Sequence, residues 1–399
     1  MRTIAVLTTS RADFGHLHWP LVRMREHPDL DPRLIVTGAH LSPAFGHTVD
    51  EIRAAGFPIE DALECLLSSD TDVGMAKTTG LATLSLADTL ARMRPDILLL
   101  IADRYEMLAP ASAALALRIP MAHIEGGEIS EGAIDDAVRH ALTKLAHLHF
   151  APTRDAARRI RAMGEETWRI RVTGAPSLDH LRHGTLAAAV ELREAVDMTV
   201  DRRTCVVAFH PVTLDADTTA ETAALFEALD HLGQPVVFCF PNADAGSYEI
   251  MAAARDWCGR HANARLVVNL SPPLYWALLR DSGVLAGNSS SGIMETASLG
   301  LPTVNVGRRQ AGRTRPDNVV DVPADSGRIL AALREALDPV TRGRLAGITN
   351  PYGDGHAGER IAEALATAPD RSVLLNKRAL PLTGGDPPAF AQSPPPEGQ

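Results

Sequence analysis

Short apolar runs recur along this chain, separated by longer stretches whose apolar positions repeat at helical spacing. The runs in the first half fall at 3–7, 33–37, 96–101, 121–124, 149–151 and 170–172. Those in the second half fall at 205–209, 236–240, 265–268, 283–286 and 303–306. Strand and helix patterns alternate, which predicts an α/β fold of two doubly wound parallel sheets. Residues 183–203 are polar, charged and free of strand pattern, so the expected Rossmann-like domains span 1–183 and 204–349. A helix pattern resumes over 350–368, and the Pro- and Gly-rich stretch 369–399 is expected to be disordered. Two such domains would face a central cleft between their strand carboxyl ends, where nucleotide-binding enzymes commonly place their sites.

The stretch 122–150 carries the densest chemistry. A strand pattern ends in Glu125 and Glu128 around a Gly pair, and a helix pattern opens with Asp135 and Asp136. At about 100° per residue, Ile134, Val138, Leu142 and Leu145 share one arc. Asp135, Asp136, Arg139, His140, Thr143, Lys144 and His147 fill the other, which describes an amphipathic helix with a polar outer face. Pairs at i,i+4, Asp135 with Arg139 and Asp136 with His140, account for much of that charge. First-turn acids also favour the helix dipole, so Asp135 and Asp136 have a structural explanation. Glu125 and Glu128 have less of one, because a turn needs no pair of carboxylates.

Composition narrows the partners. The chain has 399 residues and a formal net charge of -10, which argues against nucleic acid. A local basic pocket for an anionic substrate remains compatible with that balance. The four cysteines form no CxxC pair, so buried free thiols in a reducing cytosol are expected. No apolar stretch approaches the roughly 20 residues that span a bilayer. The N-terminal run is too short for a signal peptide. A soluble, cytoplasmic protein without membrane contact is expected.

Other strand ends carry further candidates. The first strand runs into Thr8, Thr9, Ser10 and Arg11, a set that can hold a phosphate but lacks the Gly-x-Gly-x-x-Gly of nicotinamide sites. A buried-strand pattern delivers Asp103 and Arg104 together, although a helix cap beside an exposed Arg explains the pair as well. His210 stands at a strand end, and Asn242 repeats the arrangement with an amide suited to a base edge or ribose. The strongest anion signal is Gly-Asn-Ser-Ser-Ser-Gly at 287–292, a small-residue turn between a strand and a helix. Its N–H groups, with the hydroxyls of Ser289 and Ser290, would point at a diphosphate. Glu295, about one turn into that helix, suits ribose hydroxyls, and Arg309 offers a guanidinium to the phosphates.

Several segments follow one another over residues 1–366: Ser-Arg-Ala-Asp-Phe (10–14), Asp-Arg-Tyr-Glu (103–106), His-Ile-Glu-Gly-Gly-Glu (123–128), Gly-Ala-Ile-Asp-Asp (132–136), Phe-His-Pro (209–211), Gly-Asn-Ser-Ser-Ser-Gly (287–292) and Gly-Arg-Arg-Gln-Ala-Gly-Arg (307–313). In that order they resemble the hydrolysing UDP-N-acetylglucosamine 2-epimerases of sialic acid-type pathways. The resemblance implies a GT-B architecture with UDP held mainly by the second domain, no cofactor, no metal, and a homodimer. Carried residue by residue, it places UDP contacts on Arg11, Arg104, His210, Asn242, Leu270, Ser289, Ser290, Glu295 and Arg309. It places the essential acids on Asp103, Glu125 and Asp135, with His210 as a further catalytic candidate. It implies anti-elimination of UDP across C1 and C2 to a glycal. Water then adds, releasing N-acetylmannosamine with C2 inverted.

Four positions depart from that pattern. Ala102 stands where the family usually has Gly, and Gly15 where some relatives have a UDP-contacting Ser. Val268 and Asn269 replace a Lys-His pair tied to feedback inhibition in animal relatives. One alternative keeps the reaction but uses a UDP- or GDP-linked 2,4-diacetamido-6-deoxy sugar of legionaminic-type pathways. A GT-B glycosyltransferase is another, and a non-catalytic nucleotide-sugar sensor is a third.

Overall fold

A computed structural model describes residues 1–69, 71–131, 134–211, 221–240, 247–268 and 270–378. The first sheet contains β1 (Arg2–Thr8), β2 (Leu30–Thr37), β3 (Ile59–Leu63), β4 (Ile97–Ile101), β5 (Met121–Ile124), β6 (Leu148–Ala151) and β7 (Ile170–Val172). The second contains β8 (Cys205–Ala208), β9 (Val236–Phe240), β10 (Ala264–Val268), β11 (Val284–Gly287), β12 (Thr303–Val306) and β13 (Val319–Val322). All neighbouring strands run parallel, in the orders β3-β2-β1-β4-β5-β6-β7 and β10-β9-β8-β11-β12-β13. The chain is thus an α/β protein of two Rossmann-like, doubly wound domains. Strand order reverses between β1 and β4 and again between β8 and β11. Crevices open at the carboxyl ends of strands at such switch points.

β3 and β13 are absent from the apolar-run pattern, and both are edge strands. Ile59-Glu-Asp-Ala-Leu63 alternates half-buried with exposed positions because only one face packs inward, and its two adjacent acids break the apolar run. Val319–Val322 is four residues long and has no fully buried position. The central strands read as continuous apolar runs because helices cover both of their faces.

The chain crosses between domains twice. It leaves the first after the helix Asp179–His183, and the helix Ala189–Val196 packs Leu192 and Val196 against the second sheet. It returns after Asn350, and the helix Ala357–Ala366 places Ile361, Ala362 and Leu365 in the first domain's core. Asp179 accepts the N–H groups of Ala357 at 2.9 Å and Gly358 at 2.7 Å, capping the returning helix.

The expectation of disorder from residue 369 is corrected over 371–378. The helix Arg371–Leu375 packs on the first domain, and Leu374 is buried in its core. The buried Arg169 guanidinium donates to the carbonyl of Leu374 at 2.9 Å and of Asn376 at 3.1 Å. Lys377 reaches the buried Glu165 carboxylate at 2.8 Å, where Lys144 also pairs at 2.6 Å. These contacts lie far away in sequence, so a local reading of composition missed them. Residues 379–399 lie outside the described residues. Truncating Leu374 to Ala should lower unfolding stability by about 2 kcal/mol or more, read from urea denaturation. An unchanged midpoint would show that the segment does not pack.

Candidate functional site

Two adjacent strands end in left-handed residues that are not glycine. Ala102 after β4 has φ +56° and Glu125 after β5 has φ +64°. The Ala102 N–H donates to the Ile124 carbonyl at 3.0 Å, and its own carbonyl accepts from His123 Nε2 at 2.7 Å. The Glu125 N–H donates to the Phe150 carbonyl at 2.9 Å. Burial lowers the His123 pKa to about 4, so the ring stays neutral as that donor. These bonds hold two turns that would otherwise relax, at a cost of about 1–3 kcal/mol each. They turn Asp103 and Glu125 out of the sheet into the cleft.

Behind them lies Arg139, only 1% exposed. Its guanidinium pairs with Asp103, donates to Asp136 at 3.2 Å and to Ser130 Oγ at 3.0 Å. The expectation of a polar outer face on the helix Asp135–Leu145 is therefore corrected for Arg139 and Thr143, both buried. The face points at carboxylates, not at water. Asp136 and His140 do pair, at 3.5 Å. Arg139 finds Asp136 and Asp103 in place of the anticipated Asp135.

Burial alone would raise the Asp103 carboxyl, but Arg139 and then Arg313 hold its pKa below the usual range. Asp135 goes the other way, raised by burial and by the Asp103 charge. Two neighbouring acids are thus biased towards opposite protonation states. Glu125 Oε1 lies 3.0 Å from His16 Nδ1. Burial opposes a charge on His16, yet Glu125 overrides it and raises the pKa to about 9. Glu128 accepts from Thr153 at 3.3 Å and from Tyr352 at 3.2 Å.

Across the cleft, Gly287 ends β11 at φ +132°. A Cβ there would lie 2.1 Å from the Ala208 carbonyl oxygen, so only glycine lets these strand ends meet. Asn288 bridges them: its side chain accepts the His210 N–H at 2.7 Å and donates to the His210 carbonyl at 2.8 Å. The Asn288 carbonyl accepts from Arg309 at 3.1 Å and Gln310 at 2.8 Å. The expected helix after Ser290 is a single turn, Ser291–Met294, with Glu295 as its C-cap. Its dipole is accordingly slight, so the positive charge on this side of the cleft comes chiefly from Arg309. Glu295 accepts the Ser291 hydroxyl, which in turn accepts from Tyr275 at 2.8 Å. His210 is neutral, lowered to about 3 by burial and then by Arg309, so it is no resting acid.

These elements enclose a cavity of about 420 Å³ between the domains. Asp103, Glu125, Asp135 and His210 all line it, as do Arg104, Ser290 and Arg309. Arg11 does not: it pairs with Glu51 at 3.1 Å and faces an adjacent interdomain cavity of about 490 Å³. Ser289 and Glu295 stand behind the lining, and Leu270 is half-buried against the second sheet's core. Asn242, like Asn269, lies outside the described residues.

The family model for UDP-N-acetylglucosamine 2-epimerase matches residues 22–366. The chain belongs to the UDP-N-acetylglucosamine 2-epimerase family. A hydrolysing UDP-N,N'-diacetylbacillosamine 2-epimerase of Legionella pneumophila is 36% identical, covering 94% of this chain and 99% of its own. A hydrolysing GDP/UDP-N,N'-diacetylbacillosamine 2-epimerase of Campylobacter jejuni is 33% identical, over 80% of this chain and 84% of its own. The fold also matches the crystal structure of UDP-GlcNAc 2-epimerase from Neisseria meningitidis bound to UDP-GlcNAc. That match has a TM-score of 0.76 at 19% identity, over 92% of this chain and 99% of that one. No helix among the described residues is long and apolar enough to cross a membrane.

In this family member the strand-end motifs exposed the acids but not their supports. Arg313 donates from the second domain to the Ile129 carbonyl and Ser130 Oγ, both at 3.1 Å. Its side chain thereby meets the same serine that Arg139 holds. Arg313 closes a quoted motif, but only the fold reveals its reach. His16 carried no motif signal beyond its place in the first helix, Arg11–Glu26.

Two outcomes check this site. In Glu125→Gln, His16 should titrate at or below 6.5 by NMR instead of near 9; a value still near 9 would remove Glu125 as its partner. For the native pair, the folded pKa exceeds the unfolded one. As far as His16 is concerned, its stabilisation is complete below pH 6.5 and fades as pH rises through about 9. Separately, Ala102→Gly should raise unfolding stability by about 1 kcal/mol by relieving the left-handed backbone. A loss of stability there would show that Ala102 is not strained.

Proposed function

We propose that this family member is a hydrolysing 2-epimerase whose substrate is a UDP-linked 2,4-diacetamido-6-deoxy sugar. One observation carries the reaction class: a single cavity joins Asp103, Glu125 and Asp135 from one domain to Ser290 and Arg309 from the other. That is the pairing a reaction needs when it removes a C2 proton while a diphosphate departs from C1. The anticipated substrate, UDP-N-acetylglucosamine, yields to the diacetamido sugar because the Legionella and Campylobacter relatives carry that specificity in their names. Met75, Ile134 and Met294 line the same cavity and suit a C6 methyl better than a hydroxymethyl.

In the first step Glu125 takes the C2 proton, the C1–O bond breaks with its electrons on the diphosphate, and a C1–C2 double bond forms. Arg309 and the protonated His16 stabilise the departing charge. In the second step Asp135, whose proton affinity is raised by burial and by the Asp103 charge, gives a proton to the opposite face of C2. Water adds at C1 and its proton passes to the now ionised Asp135, while Glu125 gives up the proton it took from C2 to the departing diphosphate or to solvent, so both carboxyl groups return to their starting states. The balance is nucleotide sugar plus water to free 2-epimer plus UDP. Asp103, held ionised by Arg139, favours positive charge at C1. Neutral His210 serves as a hydrogen-bonding group for the nucleotide phosphates.

The test is turnover in deuterated water without a sugar acceptor, with each candidate substrate. The diacetamido sugar nucleotide should be turned over with at least about 10-fold higher kcat/KM than UDP-N-acetylglucosamine, and the released sugar should carry deuterium at C2. The reverse preference would overturn the substrate assignment. Absence of UDP release from both would overturn the reaction and favour a glycosyltransferase. Asp135→Asn should lose about 10²-fold or more in kcat while still binding UDP; full activity in that variant would remove its role.

A further inference from the structure

A histidine-rich cluster stands outside this cavity, where the chain makes both of its domain crossings. His183 ends the last helix before the first crossing, and His356 is the N-cap residue of the helix that follows the second. Glu359 lies in the first turn of that returning helix. The donor atoms of the three residues all lie within 4.8 Å of one another. His183 Nε2 is 3.6 Å from one Glu359 oxygen, and His356 Nδ1 is 2.7 Å from the other. His183 Nε2 is buried and has no hydrogen-bond partner.

We propose that His183, His356 and Glu359 form a binding site for a borderline divalent transition-metal ion of the Zn²⁺ class. Two imidazoles and one carboxylate are a donor set that such ions favour. Ligand atoms about 2.1 Å from a tetrahedral ion lie about 3.4 Å apart, so separations of 2.7 and 3.6 Å are close to the required spacing. Water supplies the fourth ligand, because Glu359 is half-exposed and His183 also borders the adjacent cavity.

The backbone around the cluster is already held. Asp179 caps the returning helix. Gly355, at φ +82°, passes so close that a Cβ there would lie 3.0 Å from the Arg182 side chain. Only side-chain rotation is needed to close the site. Arg23 is a cation packed against it, 3.2 Å from His183 Nδ1 and 3.6 Å from Glu359. It keeps a second partner, Glu26, at 2.7 Å. When the ion takes Nε2, Nδ1 carries the ring proton and Arg23 turns to Glu26. The bound ion ties the two crossings together.

The test uses the full chain after chelator treatment, with Zn²⁺ or Co²⁺ alone. Calorimetry should show one Zn²⁺ per chain, and saturating Zn²⁺ should raise Tm by roughly 5 °C. Co²⁺ should give visible absorption bands of a four-coordinate nitrogen and oxygen site. The double variant His183→Gln/His356→Gln should lose the Tm rise and the bands. His231→Gln, at an exposed distant histidine, should retain both. Equal Zn²⁺ binding by native protein and double variant, or no binding to the native protein, would overturn the site. Should the double variant fail to fold, Glu359→Gln serves instead, with at least about 10-fold weaker Zn²⁺ binding expected and unchanged affinity counting against the proposal.

Discussion

The site depends on a buried guanidinium. Arg139 holds Asp103, Asp136 and Ser130 at once, and Ser130 in turn meets Arg313 from the opposite domain. Withdrawing one partner from such a buried charge costs about 3–5 kcal/mol, so the four groups stand or fall together. The arrangement has a chemical reason. Several carboxylates cannot share one cavity unless fixed cations neutralise some and burial keeps others protonated. Arg139 and Arg313 do the first for Asp103, and desolvation shifts Asp135 in the second direction by raising its pKa.

Asp103 and Glu125 were legible in the sequence because each follows an apolar strand, and Asp135 because it opens a helix pattern. Asp103 follows β4 and Glu125 follows β5, and strand interiors are the easiest elements to read. Arg139 was not legible. Its helical angle placed it with the polar residues, and amphipathic patterning equates a polar arc with water. Here that arc faces other charged groups, a distinction visible only once Asp103 is placed in space. The same limit hid β3 and β13, whose edge positions weaken the apolar signal. It also hid the segment around Leu374, whose partner Arg169 lies far back in the chain. The turn after Ser290 was legible as a turn, while the length of the helix after it was not.

The two halves of the site divide their labour by electrostatics. The first domain supplies carboxylates with opposed proton affinities, and the second supplies guanidinium and hydroxyl groups. His16 joins them, since its charge exists only beside Glu125 and yet lines the shared cavity. Tyr352 joins them mechanically: it lies on the second crossing and donates to Glu128. A shift of one domain relative to the other therefore alters how the acids are held as well as how far away Ser290 and Arg309 lie.

The return of the chain to the first domain has a consequence for synthesis. Ile361, Leu365 and Leu374 belong to the core that β1 begins, whereas the second sheet and its helices are contiguous within residues 189–344. During translation the second domain therefore has all of its parts first. The first domain must wait, with part of its core uncovered, until the ribosome has released residues beyond Leu374. In effect the second domain is an insertion within the acid-bearing one, and it is complete in the growing chain before the domain that encloses it.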